Sequence, residues 1–94
     1  MPTFKVAHIR EQGVDLIIIP LDSAFGRKMT SDQQDIIADM QVRAQAAGIS
    51  GTVVPVWDAG GGRMGFIAPT NWHSFFKSLS LPLVAVNINK DLYW

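Results

Sequence analysis

The sequence predicts a two-layer α/β sandwich (α+β), in which two helices cover one face of a mixed sheet. Three observations support this fold class: a short apolar run at residues 16–21, an amphipathic segment after it with helical periodicity, and two further apolar runs flanking glycines 60–62. The chain has 94 residues, 48% of them hydrophobic and 17% charged, which is typical of one globular domain spanning residues 1–94.

Two strands are predicted at the start of the chain, Thr3–Arg10 and Val14–Leu21, with a turn at residues 11–13. The second strand is apolar without interruption from Leu16, which indicates a central strand covered on both faces. Proline cannot donate a hydrogen bond to a neighbouring strand, so we expect the pairing to stop near Pro20.

The first helix is predicted to start at Thr30 or Ser31 and to stop at Gly48. Gln33 or Gln34 would complete a capping box with the N-cap hydroxyl, and glycine favours the left-handed conformation that ends helices. The apolar residues recur at helical spacing and predict a buried stripe: Ile36, Ile37, Met40, Ala44 and Ala47.

A hairpin follows, with strands Val53–Trp57 and Met64–Ile67 and a long connection, Asp58–Arg63. Because three of the connecting residues are glycines, we expect a bulged or mobile loop instead of a tight turn.

A second helix is predicted from Thr70 or Asn71, with four apolar side chains on one face: Trp72, Phe75, Phe76 and Leu79. The residue before a proline disfavours the helical region, so Pro82 is expected to end this helix. Alternating apolar residues then predict a strand at Leu83–Asn89, followed by a short tail, Lys90–Trp94.

Without its first strand, the predicted order β-α-β-β-α-β is the split βαβ pattern of ferredoxin-like folds. In that topology Val14–Leu21 is central and Val53–Trp57 lies at a sheet edge, a position that tolerates Pro55. If the additional N-terminal strand pairs with Val14–Leu21, the last strand is displaced outward; otherwise the first strand pairs elsewhere.

Charge and composition exclude several classes of function. Eight basic residues balance eight acidic ones, whereas nucleic-acid-binding and membrane-surface proteins carry a basic excess. The chain has no cysteine, which rules out disulfides, thiolate zinc sites and a cysteine nucleophile. We expect a cytoplasmic protein without a membrane segment, metal or cofactor.

The two strands joined by the first helix should be parallel, so that both end at the same edge of the sheet. Basic side chains and the free backbone N–H groups of a helix start at that edge favour an anion. A phosphate or carboxylate site is therefore one hypothesis, formed by Arg27, Lys28, Ser31, Gly61, Gly62 and Arg63. The alternative is a solvated basic turn beside a capped helix.

Two aspartates follow the same strand ends, Asp22 and Asp58. Paired carboxylates can perform acid–base chemistry or bind Mg²⁺. Aspartate is also common in turns, because its side chain forms hydrogen bonds with the local backbone.

Large aromatic residues outside the core are common anchors of protein interfaces. Four are candidates here: Phe25, Trp57, Tyr93 and Trp94. They could equally cap the open ends of a small core. An exposed edge strand could also pair with its copy in a homodimer.

The segment Arg63–Ile67 is similar to part of a strand motif in RNA-recognition motifs, which implies an RNA-binding sheet. Methionine and proline stand where that family has stacking aromatics, at Met64 and Pro69, and residues 16–21 lack its other aromatic. No complete catalytic constellation occurs in the chain. The sequence therefore favours a small non-enzymatic protein-interaction module, with a small anionic ligand as the second hypothesis and RNA as the third.

Overall fold

A computed structural model describes residues 3–60 and 63–93 as a five-stranded mixed sheet with helices. The strands are β1 (Thr3–Glu11), β2 (Val14–Leu21), β3 (Thr52–Gly60), β4 (Arg63–Phe66) and β5 (Lys90–Tyr93). The helices are α1 (Thr30–Ala46), α2 (His73–Lys77) and α3 (Leu81–Val86), with 3-10 turns at Ser23–Arg27 and Thr70–Trp72.

The strand order is β4-β3-β2-β1-β5, which places β2 at the centre of the sheet as predicted. β1 pairs antiparallel with β2, and β5 pairs antiparallel with the outer side of β1. The N-terminal strand therefore pairs with β2, and β5 lies outside it at the edge of the sheet. β2 and β3 are parallel, as the connecting helix requires.

The ferredoxin-like order is not confirmed. A split βαβ unit needs a strand between the two strands that its helix connects, but β2 and β3 are direct partners here. The mixed sheet and its helices are consistent with the coarser class, an α+β sandwich.

The prediction that both helices cover one face was wrong, because alternate residues of β2 pack into two separate cores. Ile17 and Ile19 face α1 and pack with Met40 and Ala44. Leu16 and Ile18 face the other side, where α2 and α3 lie. The uninterrupted apolar run is explained by this arrangement, since a strand covered on both faces has no polar side. The sheet is the middle of three layers.

The first helix starts at Thr30 and stops before Gly48, but its N-cap is Met29 and not Thr30 or Ser31 as predicted. Gly48 has φ +78°, and the Ile49 and Gly48 N–H groups donate to the Ala44 and Gln45 carbonyls, the bonds of a Schellman motif. At the start, Met29 holds the N-cap position without a side-chain bond, so the predicted capping box is absent. Gln33 instead donates from Nε2 to the Phe25 carbonyl at 2.9 Å.

The prediction of a strand at Leu83–Asn89 was wrong. Residues 81–86 form α3, with Pro82 in its first turn, where the missing N–H costs no helical hydrogen bond. The predicted tail contains β5, in which Leu92 is buried and pairs with Phe4.

Pro55 does not mark an edge strand, since β3 has β2 on one side and β4 on the other. The Ile67 N–H donates to the Pro55 carbonyl, so the nitrogen of Pro55 faces the β4 side of β3. β4 ends at Phe66, and the proline therefore lies where that ladder stops.

Candidate functional site

The carboxyl ends of β2 and β3 meet at one edge of the sheet, where Leu21 pairs with Trp57. The 3-10 turn Ser23–Arg27 follows β2 and packs over the Trp57 side chain. The Phe25 and Trp57 ring centroids are 5.2 Å apart, with the ring planes tilted by 56°. This contact fixes the turn above the end of β3.

The indole of Trp57 lies between two glycines, Gly26 in the 3-10 turn and Gly65 in β4. A Cβ atom placed on either glycine would overlap the indole ring. Both positions therefore need glycine for its missing side chain, because the ring occupies the space that a Cβ would take.

A cleft of about 260 Å³ opens beside Trp57 at the strand ends. Its lining residues are Ser23, Gly26, Arg27, Trp57, Asp58, Ala59 and Gly60. Asp58 accepts a hydrogen bond at Oδ1 from the Gly60 N–H at 2.8 Å, next to a bulge in the ladder between β3 and β4. One cationic and one anionic side chain thus border the cleft.

The predicted anion site is assembled only in part. Arg27 lines the cleft, whereas Lys28 and Ser31 are exposed and lie outside its lining. Arg63 borders other depressions, described below. Gly61 and Gly62 lie outside the described residues.

The two aspartates line different depressions. Asp58 lies at the cleft beside Trp57, and Asp22 lies at a depression between β1 and β2 with Phe4, Lys5 and Leu21. The cleft therefore contains one of the two carboxylates that the acid–base hypothesis would pair.

Among the four candidate interface aromatics, Phe25 is 4% exposed and Trp57 is half-buried. Their rings pack against each other at the carboxyl ends of β2 and β3. The backbone of Tyr93 belongs to β5, and Trp94 lies outside the described residues.

Sequence reasoning missed a pair of depressions along β4, on the face that α2 and α3 cover. The smaller, about 300 Å³, is lined by Asp58, Arg63, Met64, Ser80, Leu81 and Pro82. The larger, about 540 Å³, is lined by Arg63, Met64, Phe66, Phe76, Lys77 and Leu79. The two depressions share Arg63 and Met64 in their linings, so they adjoin each other along β4. The only sequence signal was the i, i+2 spacing of Met64 and Phe66.

The outer edge of β4 presents backbone groups to solvent. The bond from the Ile67 N–H to the Pro55 carbonyl sets the alternation of the ladder with β3. In that alternation the backbone N–H and C=O groups of Gly65 point toward β3, while those of Met64 and Phe66 point away from it. The Phe66 ring packs against the Phe76 ring, with 5.5 Å between the ring centroids.

Both histidines form hydrogen bonds with backbone carbonyls. His8 Nε2 donates to the Ser50 carbonyl at 2.9 Å, and His73 Nε2 donates to the Ala68 carbonyl at 3.0 Å. His73 is half-buried. Over residues 3–60 and 63–93, no three histidine or carboxylate side chains are grouped as a metal site would require.

Within the same residues, no helix has the length and apolarity needed to span a membrane. Helices pack against both faces of the sheet, α1 on one and α2 and α3 on the other. No protein-family model, curated protein or solved structure matches the chain.

Proposed function

We propose that this protein is a non-enzymatic interaction module that binds an extended segment of a partner protein along the outer edge of β4. The observation that carries the proposal is the juxtaposition of the outward backbone groups of Met64 and Phe66 with two depressions, each lined in part by apolar side chains. Strand addition to a sheet edge derives affinity from main-chain hydrogen bonds and specificity from pockets for alternate side chains.

The two edges of the sheet differ in how they are protected. β5 carries Lys90 and Asp91, both exposed, and charged side chains discourage strand addition. β4 has one exposed charge, Arg63, at its start, and then the half-buried apolar side chains of Met64 and Phe66 with Gly65 between them. This contrast favours β4 as the edge that receives a partner.

The test removes an outward donor without affecting the fold. Met64→Pro eliminates one N–H that points away from β3, so the ladder between β3 and β4 should persist. Peptides selected from a displayed library of random sequences should bind the native protein and lose binding to Met64→Pro. They should retain binding to Val86→Ser, which changes a side chain that is 78% exposed on α3.

Hydrogen exchange gives a second readout that needs no variant. The Met64 and Phe66 amides should exchange slowly when a selected peptide is bound and rapidly when the protein is free. Peptides that bind Met64→Pro equally well and leave both amides unprotected would contradict the proposal. If the edge pairs with a second copy instead, sedimentation will detect a dimer that Met64→Pro dissociates.

A small anionic ligand in the cleft beside Trp57 is the second candidate function. Arg27 and Ser23 line this cleft at the carboxyl ends of two parallel strands, where ligands of open α/β sheets bind. An amide NMR titration with inorganic phosphate and nucleotides should shift the signals of residues 23–27, and Arg27→Ala should abolish the shifts. Arg10→Ala, at the far end of β1, is the matched control. Unchanged signals at residues 23–27 would eliminate this candidate.

A further inference from the structure

We propose that the segment bound along β4 is acidic, with an apolar side chain in the smaller depression and a carboxylate two residues away over the larger one. This inference rests on the proposed function and specifies the chemistry of the partner. It comes from how charge is distributed along the two depressions.

The larger depression is bordered by two cations and no acid. Arg63 and Lys77 are both exposed at its rim, and the remaining lining is apolar: Met64, Phe66, Phe76 and Leu79. An aspartate or glutamate there would place its methylene groups against Met64 and Phe66 and its carboxylate beside the cations.

Both cations are available to a partner. The ion pairs among the described residues join Lys5 to Asp91 and Arg43 to Asp39, and neither includes Arg63 or Lys77. Asp58 borders the smaller depression and the cleft beside Trp57 but not the larger depression. The uncompensated positive charge therefore lies at the larger depression, and an acidic segment complements it.

The spacing follows from strand geometry. Side chains two residues apart on an added strand lie on the same face, about 7 Å from each other. Met64 and Phe66 have this spacing on β4 and lie on the face that both depressions occupy. A side chain entering the smaller depression meets Met64, Leu81 and Pro82, which favours an apolar residue. The residue two positions away then reaches Lys77.

A charge reversal tests this pattern. Peptides selected from a random library on the native protein should be enriched in Asp or Glu two residues from an apolar residue. Peptides selected on Lys77→Glu should lose that enrichment, because the new carboxylate offsets the charge of Arg63 at the same depression. A selected acidic peptide should bind the native protein about two- to fivefold more tightly than its Glu→Gln counterpart. Added salt should reduce that difference.

Lys90→Glu is the matched control, because it reverses an exposed cation on β5, at the opposite edge of the sheet. This variant should select the same acidic peptides as the native protein. If the selected peptides lose binding to Met64→Pro but show no acidic enrichment, the charge inference is wrong and the proposed function stands. A library that yields no peptide sensitive to Met64→Pro overturns both.

Discussion

The side chain of Gln41 substitutes for a missing strand on the outer side of β3. Its Oε1 accepts from the Val53 N–H at 3.0 Å, and its Nε2 donates to the Gly51 carbonyl at 2.9 Å. The Val53 N–H points to the same side of β3 as the Pro55 carbonyl, where β4 no longer provides partners. The amide therefore satisfies two partly buried backbone groups that would otherwise be unpaired.

Replacing Gln41 with leucine removes both bonds and preserves much of the side-chain volume. Each bond contributes about 1 kcal/mol, so the free energy of unfolding should fall by about 2 kcal/mol. For a chain of this length that corresponds to a decrease in Tm of roughly 10 °C. Gln34→Leu is the matched control, since Gln34 lies exposed on the same helix, and its stability should stay within about 0.5 kcal/mol of the native protein.

Urea unfolding followed by circular dichroism measures the stability of both variants, and hydrogen exchange measures the Val53 amide directly. We expect this amide to lose protection in Gln41→Leu and to keep it in Gln34→Leu. Equal stabilities for the two variants, or a Val53 amide that remains protected without Gln41, would refute the assignment of Gln41 as a substitute strand.

Three further predictions concern space and burial, and urea unfolding checks each. Gly65→Ala should cost about 1–3 kcal/mol because its Cβ meets Trp57, and the cost should disappear in a Trp57→Ala background; a cost unchanged there would exclude the contact as its cause. Gly51→Ala should lower the free energy of unfolding by about 3 kcal/mol, because Gly51 has φ +136° and an added Cβ would lie 2.7 Å from the Asp15 carbonyl oxygen. Gly48→Ala should lower it by about 1 kcal/mol, because nothing lies near its Cβ position. Phe76→Ala should cost about 3–5 kcal/mol because Phe76 is 1% exposed; a smaller loss would contradict its place in the core.

The residues that carried a strong local signal were interpreted correctly from the sequence. The apolar run of β2 predicted a central strand covered on both faces, and Gly48 predicted the end of α1. A strand that is apolar on both faces already implied helices on both sides of the sheet. Assigning both helices to one face relied instead on the order of elements, which does not specify on which side each crossover packs.

The helix predicted from Thr70 or Asn71 is present, but the residues after it, from Leu81 onward, were misinterpreted because their local signals are ambiguous. Pro82 is compatible with the end of one helix and with the first turn of the next, and the structure has both within a few residues. Val84 and Val86 alternate as in a strand, but in α3 Val84 is buried and Val86 is 78% exposed. Tertiary packing decided between two conformations that the local pattern allowed.

Strand order and the depressions along β4 depend on contacts between distant residues, which periodicity does not report. Four residues of β5 are too few to show a pattern, yet their pairing with β1 completes the sheet. The larger depression brings Lys77 of α2 beside Arg63 of β4, and no motif in the sequence links these two residues. The sequence therefore pointed to the cleft at the ends of the two parallel strands, but not to the depressions along β4.

The side-chain amide of Asn89 also substitutes for a strand, on the outer side of β1. Because it is exposed, we expect its replacement to reduce the stability less than that of Gln41. Asn89 accepts at Oδ1 from the His8 N–H at 3.0 Å and donates from Nδ2 to the His8 carbonyl at 2.9 Å. These bonds are exposed, so water can replace the lost partners, whereas the groups bonded to Gln41 are partly buried. Asn89→Leu should therefore cost about 1 kcal/mol or less in urea unfolding, below the cost of Gln41→Leu. An equal or larger loss would mean that the two bonds themselves, and not the burial of the groups they satisfy, set the stability of the sheet edges.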